Sequence, residues 1–247
     1  MADYDNRAIR GQATDATGVI DAGLRAYMLR VYNYMFVGLA LTGITAWVTA
    51  TTSFGQLFYQ INPATGRFGM TMLGFIALFA PIGFVMFLSF RISRMSVAAA
   101  RATFWIYAAV VGISIAPVLL VYTGASVAEV FFITAATFGA MSLYGYTTRR
   151  DLSGFGSFLF MGLIGLFIAM VVNMFLQSQM MQWVVSIIGV LIFTGLTAYD
   201  SQSIKESYVA SDDGTVAGRN AIFGALRLYL DFLNLFLFLL QLMGNRR

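Results

Sequence analysis

The sequence predicts an all-α polytopic membrane protein: a bundle of seven transmembrane helices with the seventh at its centre. Three observations carry this. Hydrophobic residues make up 59% of the chain and charged residues only 11%, against about a quarter charged in a soluble domain. The apolar runs are unbroken and about twenty residues long, the length a helix needs to cross ~30 Å of hydrocarbon. A β-barrel strand would instead alternate polar and apolar over ~10 residues. Finally, the charges fall between the runs, except for Glu129 near the outer end of the fourth and those within the last.

Residues 1–29 form a polar tail, with Asp3, Asp5, Asp15 and Asp21 among Arg7 and Arg10. They lack the apolar stretch and cleavage site of a signal peptide, and the expectation is a short, partly irregular cytoplasmic segment. Residues 30–247 form the membrane domain. The first span is about Val31–Ala50, followed by a loop with Asn62-Pro63 and Arg67. The second is about Met70–Phe90, interrupted by Pro81. The third is about Phe104–Tyr122, with Pro117 inside it. After a Gly124-Ala125-Ser126 turn comes the fourth, about Val127–Tyr146. The fifth is about Phe155–Leu176, the sixth about Met181–Tyr199 and the seventh about Ile222–Met243. A polar loop from Ser201 to Asn220 separates the last two, with Asp212-Asp213-Gly214 as its turn signal.

Lys and Arg in short loops set orientation. With a cytoplasmic N-terminus, the inside segments hold Arg7, Arg10, Arg25, Arg30, Arg91, Arg94, Arg101, Arg149, Arg150, Lys205 and Arg219. The outside ones hold only Arg67, Arg246 and Arg247. Seven spans put the C-terminus outside. A re-entrant last helix would return Arg246 and Arg247 to the cytoplasm, and that alternative stays open. The expected location is the cell's inner (plasma) membrane, and the net charge of +4 suggests no nucleic-acid partner.

The chain has no cysteine and no histidine. That excludes disulfides, thiolate metal sites, Cys nucleophiles and Ser–His–Asp triads. It also excludes imidazole as a pH sensor, so proton chemistry near neutral pH falls to carboxylates. Two stand out: Asp200 at the inner end of the sixth span and Asp231 inside the seventh. A carboxylate at mid-bilayer costs roughly 2.5–3.5 kcal/mol on insertion scales and is a functional candidate by default. Arg227, Asp231 and Asn234 lie three and four apart, on one face of the seventh helix. Such a stripe does not face lipid, which places this helix centrally. Asp231 is nine residues past Ile222, about 14 Å deep, with Asp200 shallower unless the sixth helix runs on. Arg91 ends the second span on the same side. Two carboxylates in contact cannot both ionise cheaply, and they share a proton. The competing reading is a static clamp, or a local Arg227–Asp231 ion pair.

Two segments, Ala198-Tyr199-Asp200-Ser201-Gln202-Ser203-Ile204-Lys205 and Leu228-Tyr229-Leu230-Asp231-Phe232-Leu233-Asn234-Leu235-Phe236, resemble the paired signatures of the Bax inhibitor-1 family. Gly112-Ile113-Ser114 before Pro117, and Arg149-Arg150-Asp151-Leu152-Ser153 after the fourth span, resemble it too. The resemblance runs from the first span to the end. It implies a seven-helix bundle around the last helix and, for bacterial members, a pH-sensitive calcium leak. Eukaryotic relatives act in calcium handling and suppression of cell death. The family's two sensing aspartates match Asp200 and Asp231, and its locking arginine matches Arg91 after Phe87-Leu88-Ser89-Phe90. This chain departs in two places. Arg227 stands where members often have a small polar residue, which would move such a switch toward more acidic pH. The second span holds no acidic residue.

Three functions compete. The first is a non-enzymatic, pH-gated cation leak with no cofactor, passing calcium or another cation. It is gated by Asp200, Asp231 and Arg91, modulated by Arg227 and Asn234, and its two carboxylates touch the ion in transit. The second is a non-conducting regulator that binds another membrane protein or protease. The third, remote, is an intramembrane aspartyl protease; Leu228-Tyr229-Leu230 replaces the Gly-x-Gly that such enzymes carry before the second aspartate.

Overall fold

The computed structural model describes residues 2–61 and 68–247. Its α-helices are α1 (Ala2–Thr51), α2 (Met72–Arg91), α3 (Val97–Val121), α4 (Gly124–Thr147), α5 (Ser153–Leu176), α6 (Gln179–Glu206) and α7 (Gly214–Met243). Six of them contain stretches long and apolar enough to cross a bilayer, with α1 contributing Ala22–Thr51. The shortest, α2, has 20 residues, about 30 Å of rise, and is just long enough. The chain is a multi-pass helical membrane protein.

Local chemistry sets the helix starts. Thr71, Ser96, Thr123 and Ser178 each accept a hydrogen bond from the backbone N–H three residues on, and Asp213 accepts from Thr215 and Val216. These caps satisfy amides that a helix leaves without partners. Pro81 and Pro117 lie inside α2 and α3 without ending them.

The polar N-terminal segment differs from the irregular tail expected of it. It continues α1 back to Ala2. No proline falls in residues 1–51, and extending a helix already anchored by residues 22–51 needs no new nucleus. Fifty residues span about 75 Å, so α1 projects well beyond the hydrocarbon. The link from α1 to α2 also differs. Where an irregular loop was expected, β1 (Tyr59–Ile61) and β2 (Phe68–Met70) pair antiparallel, with Tyr59 opposite Met70. Tyr59 is buried and donates to the Ile113 carbonyl at 2.7 Å, tying this ribbon to α3. The Asn62-Pro63 turn and Arg67 lie outside the described residues.

At the centre stands α7. Of its most apolar stretch 72% is buried, against 11% for α5. It packs on α1, α3, α4 and α6. It is continuous over 30 residues, which rules out a re-entrant turn. After it, Asn245 and Arg247 hydrogen-bond the α3–α4 turn at Thr123 and Val121. The C-terminus therefore lies on the face carrying the α1–α2, α3–α4 and α5–α6 connections, opposite the α6–α7 loop.

Candidate functional site: a buried carboxyl pair and its arginine

Asp200 and Asp231 meet between α6 and α7. Asp200 is only 6% exposed and Asp231 only 4%, and their side chains are within hydrogen-bonding reach of each other. Two features bring them together. First, α6 runs six residues past Asp200, to Glu206, so Asp200 sits about 9 Å inside the helix end rather than at its edge. Second, helical side chains lean toward the helix N-terminus, and the N-terminus of α7 lies on the Asp200 side. The antiparallel pair is held in register from both ends. A Cβ on Gly224 would meet Ile204 at 3.1 Å, and one on Gly189 would meet Phe238 at 2.7 Å.

Arg227 completes the cluster. Its guanidinium grips Asp200 as a fork: Nε donates to Oδ2 at 3.2 Å and the second terminal nitrogen to Oδ1, while the first donates to Ser203 Oγ at 3.2 Å. It also lies 5.9 Å from the Tyr199 ring. Such a bidentate, charge-assisted pair is the strong form of the Arg–carboxylate contact. The ion pair thus joins two helices, and is not the local Arg227–Asp231 pair that spacing on α7 suggested. Asp231 is left with one buried oxygen, Oδ2, that has no hydrogen-bond partner among the described residues.

Arg91 does not join the cluster. It is exposed at the end of α2, which packs chiefly on α3, and among the described residues it pairs with neither aspartate. The cation beside the carboxyl pair is Arg227, one turn from Asp231 on the helix that already carries it. Asn234 points its amide at the chain, donating to the Leu230 carbonyl at 2.8 Å. With Asn173, Gln182 and Gln241 it lines a cavity of about 310 Å³ between α5, α6 and α7, one turn beyond Asp231. Gln241 in turn accepts from Ser186 at 2.9 Å. The polar stripe of α7 thus faces polar groups along much of its length.

The opposite face of α7 is fixed by hydroxyls and rings. Tyr229 shares a 2.6 Å hydrogen bond with Thr42 of α1 and stacks edge-on against Phe104 and Tyr107 of α3. The segment around Asp200 is pinned as well. Gln202 accepts from the Leu152 amide at 2.8 Å and donates to the Arg150 carbonyl at 2.7 Å. Lys205 donates to the Tyr146 carbonyl at 2.8 Å. Gly145 of α4 approaches so closely that a Cβ there would lie 2.0 Å from the Ala198 carbonyl oxygen. These contacts account for the Arg149–Ser153 segment. It is the turn that Gln202 holds against α6. In that turn Asp151 accepts from the Ser153 amide at 2.8 Å, and hydrogen bonding from the Ser153 side chain, together with that amide, holds its exposed carboxyl below the usual carboxylate range. Spacing alone missed Gln202 and Ser203, although both lie inside the sixth-span signature.

A family model described as "Inhibitor of apoptosis-promoting Bax1" matches residues 24–247. The chain belongs to the Bax inhibitor-1 family. Among its relatives is inner membrane protein YbhL of Escherichia coli, 45% identical over 228 residues, 92% of this chain and 94% of that one. An uncharacterized protein of Rickettsia prowazekii is 44% identical over 234 residues, 95% of each chain. One of Caulobacter vibrioides is 40% identical over the full length of both. The family match takes in every residue of the Asp200–Asp231–Arg227 cluster.

Proposed function

We propose that this Bax inhibitor-1 family protein is a pH-gated cation leak of the inner membrane, with calcium as its permeant ion, and that the α6–α7 carboxyl pair is its gate. The observation that carries this reading is the pair itself: two acidic groups, one on α6 and one on the enclosed α7, buried beside each other in a membrane bundle, with the Arg227 guanidinium paired to Asp200. A hydrogen bond between two carboxyl groups needs a proton on one of them. Arg227 holds Asp200 as the carboxylate, so Asp231 carries the proton and donates it. The cluster is then neutral, and the path is closed.

Raising the pH removes the shared proton. Two negative charges then face one cation, and their repulsion in a low-dielectric interior favours separation of α6 from α7. The freed carboxylate oxygens suit a hard cation, and two are too few to store one, so contact is transient. The amide-lined cavity beyond Asp231 continues the polar route toward the opposite face. Arg227 takes the locking part that the family resemblance gives to Arg91. Its fork also occupies both oxygens of Asp200, leaving no open dyad for the water that an aspartyl protease must activate.

The test is calcium flux into proteoliposomes between pH 6 and 8, comparing the wild type with Asp200→Asn and Asp231→Asn. Flux should rise with pH in the wild type and lose that dependence in both variants. Unchanged flux and pH response in both would end the leak reading. A pure protein that passes no ion at any pH would favour the non-conducting regulator.

A further inference from the structure

The seam between α1 and α4 is open. Both helices pack on α7 and touch across the seam at Tyr32 and Ser142, and between them lies a groove of about 570 Å³, within the range of ligand pockets. Its walls are apolar: Leu29 and Phe36 on α1, Phe138 and Leu143 on α4, with Phe232 of α7 as the floor. The hydroxyls within it are already committed, since Tyr32 and Ser142 share a 2.6 Å bond and Ser142 and Ser201 one of 2.8 Å. Gly139 lines the α4 wall, and a Cβ there would meet nothing within 4 Å.

One end of the groove is cationic. Arg25 lies at its mouth and is exposed. Tyr146 faces it on α4, and the Lys205 ammonium sits 5.4 Å from the Tyr146 ring. Arg149 and Arg150 follow at the end of α4. Arg25 lies six residues before Val31, where the apolar run of α1 starts, and Tyr146 is next to the last residue of α4, so this mouth is near the level of lipid headgroups, while Phe232 lies deeper.

We propose that this groove binds one anionic glycerophospholipid of the leaflet that Arg25 faces. The phosphate is held by Arg25 with the Lys205–Arg150 positive field, and an acyl chain runs along Gly139 onto Phe232. An apolar slot open to the bilayer and closed by cations at one end has the shape and charge of such a lipid. A chain in the slot packs on the residue next to Asp231.

Native mass spectrometry of the full-length protein in neutral detergent tests this, with phosphatidylglycerol, phosphatidylcholine or inorganic phosphate added. The expected result is retention of one phosphatidylglycerol over phosphatidylcholine, with phosphate alone neither retained nor competing. Gly139→Leu puts a side chain into the slot from a position where a Cβ meets nothing within 4 Å, and should abolish retention. Arg25→Gln should weaken it about fivefold. Gly165→Leu, on α5, where a Cβ also meets nothing within 4 Å, should leave it unchanged and serves as the control for folding. Equal retention of the two lipids, competition by phosphate, equal loss in Gly165→Leu, or a second protein chain seated at Gly139 would each overturn the proposal.

Discussion

Two helices of this protein invert the rule of soluble folds. The more uniformly apolar of them, α5, is the most exposed of the six long spans, while α7, which carries Arg227, Asp231, Asn234 and Gln241, is the most buried. In water, burial sorts apolar from polar residues. In a bilayer the lipid is as apolar as leucine, so burial there sorts the residues that need partners from those that need none. Thus α5 offers lipid a greasy wall, and α7 is enclosed because polar groups such as Arg227 and Gln241 take their partners from another helix.

The comparison is broken most severely at the ion pair. Arg227→Ala leaves Asp200 buried without its cation and is expected to cost about 3–5 kcal/mol, read as loss of thermal stability in detergent. Arg91→Ala, at an exposed residue outside the cluster, should change stability by less than ~0.5 kcal/mol. Equal effects would mean that Arg91 is the cation that matters. Next come side chains. Leu228 on α7 is fully buried, and Leu228→Ala should cost about 2–5 kcal/mol. Phe167 on α5 is 62% exposed, and Phe167→Ala should be close to neutral in the same assay. A comparable loss at Phe167 would show that α5 has a protein neighbour in the membrane.

Glycines sharpen the contrast further. Gly145→Ala forces α4 off the Ala198 carbonyl and should destabilise by about 1–3 kcal/mol, whereas Gly165→Ala on α5 meets open space and should be neutral or slightly stabilising. Among the buried positions of α7 the smallest effect is that of Tyr229→Phe. It removes one hydroxyl from the Thr42 bond but leaves Thr42 its backbone acceptors at Gly38 and Ala108, so about 1 kcal/mol is expected.

How much of this was legible in the sequence follows the same division. The seven helices could be read because lipid demands unbroken apolar runs, and the central position of α7 because its charges break that demand. Asp200 and Asp231 could be paired for the same reason. What could not be read was which residue lies opposite which. The continuation of α6 past Asp200 runs through Ser201, Gln202 and Ser203, which look like loop until Gln202 is seen holding the Arg150–Leu152 backbone. Arg227 was placed by spacing against Asp231, its neighbour on α7. The antiparallel register instead delivers it to Asp200, and Arg91 ends a helix that packs chiefly on α3. The Tyr59–Met70 ribbon was hidden because its strands are three residues each, too short for a period to be visible. The helical N-terminus was hidden because its polarity reads as a solvated tail.

The central claim is that one proton, held on Asp231 against Asp200, decides whether α6 and α7 stay together. Infrared difference spectroscopy of the protein in lipid, titrated through the pH range in which calcium flux switches on, tests it most directly. A protonated-carboxyl C=O band should disappear in step with the rise in flux and be missing from Asp231→Asn. A band that persists while flux turns on, or that survives in Asp231→Asn, would contradict it.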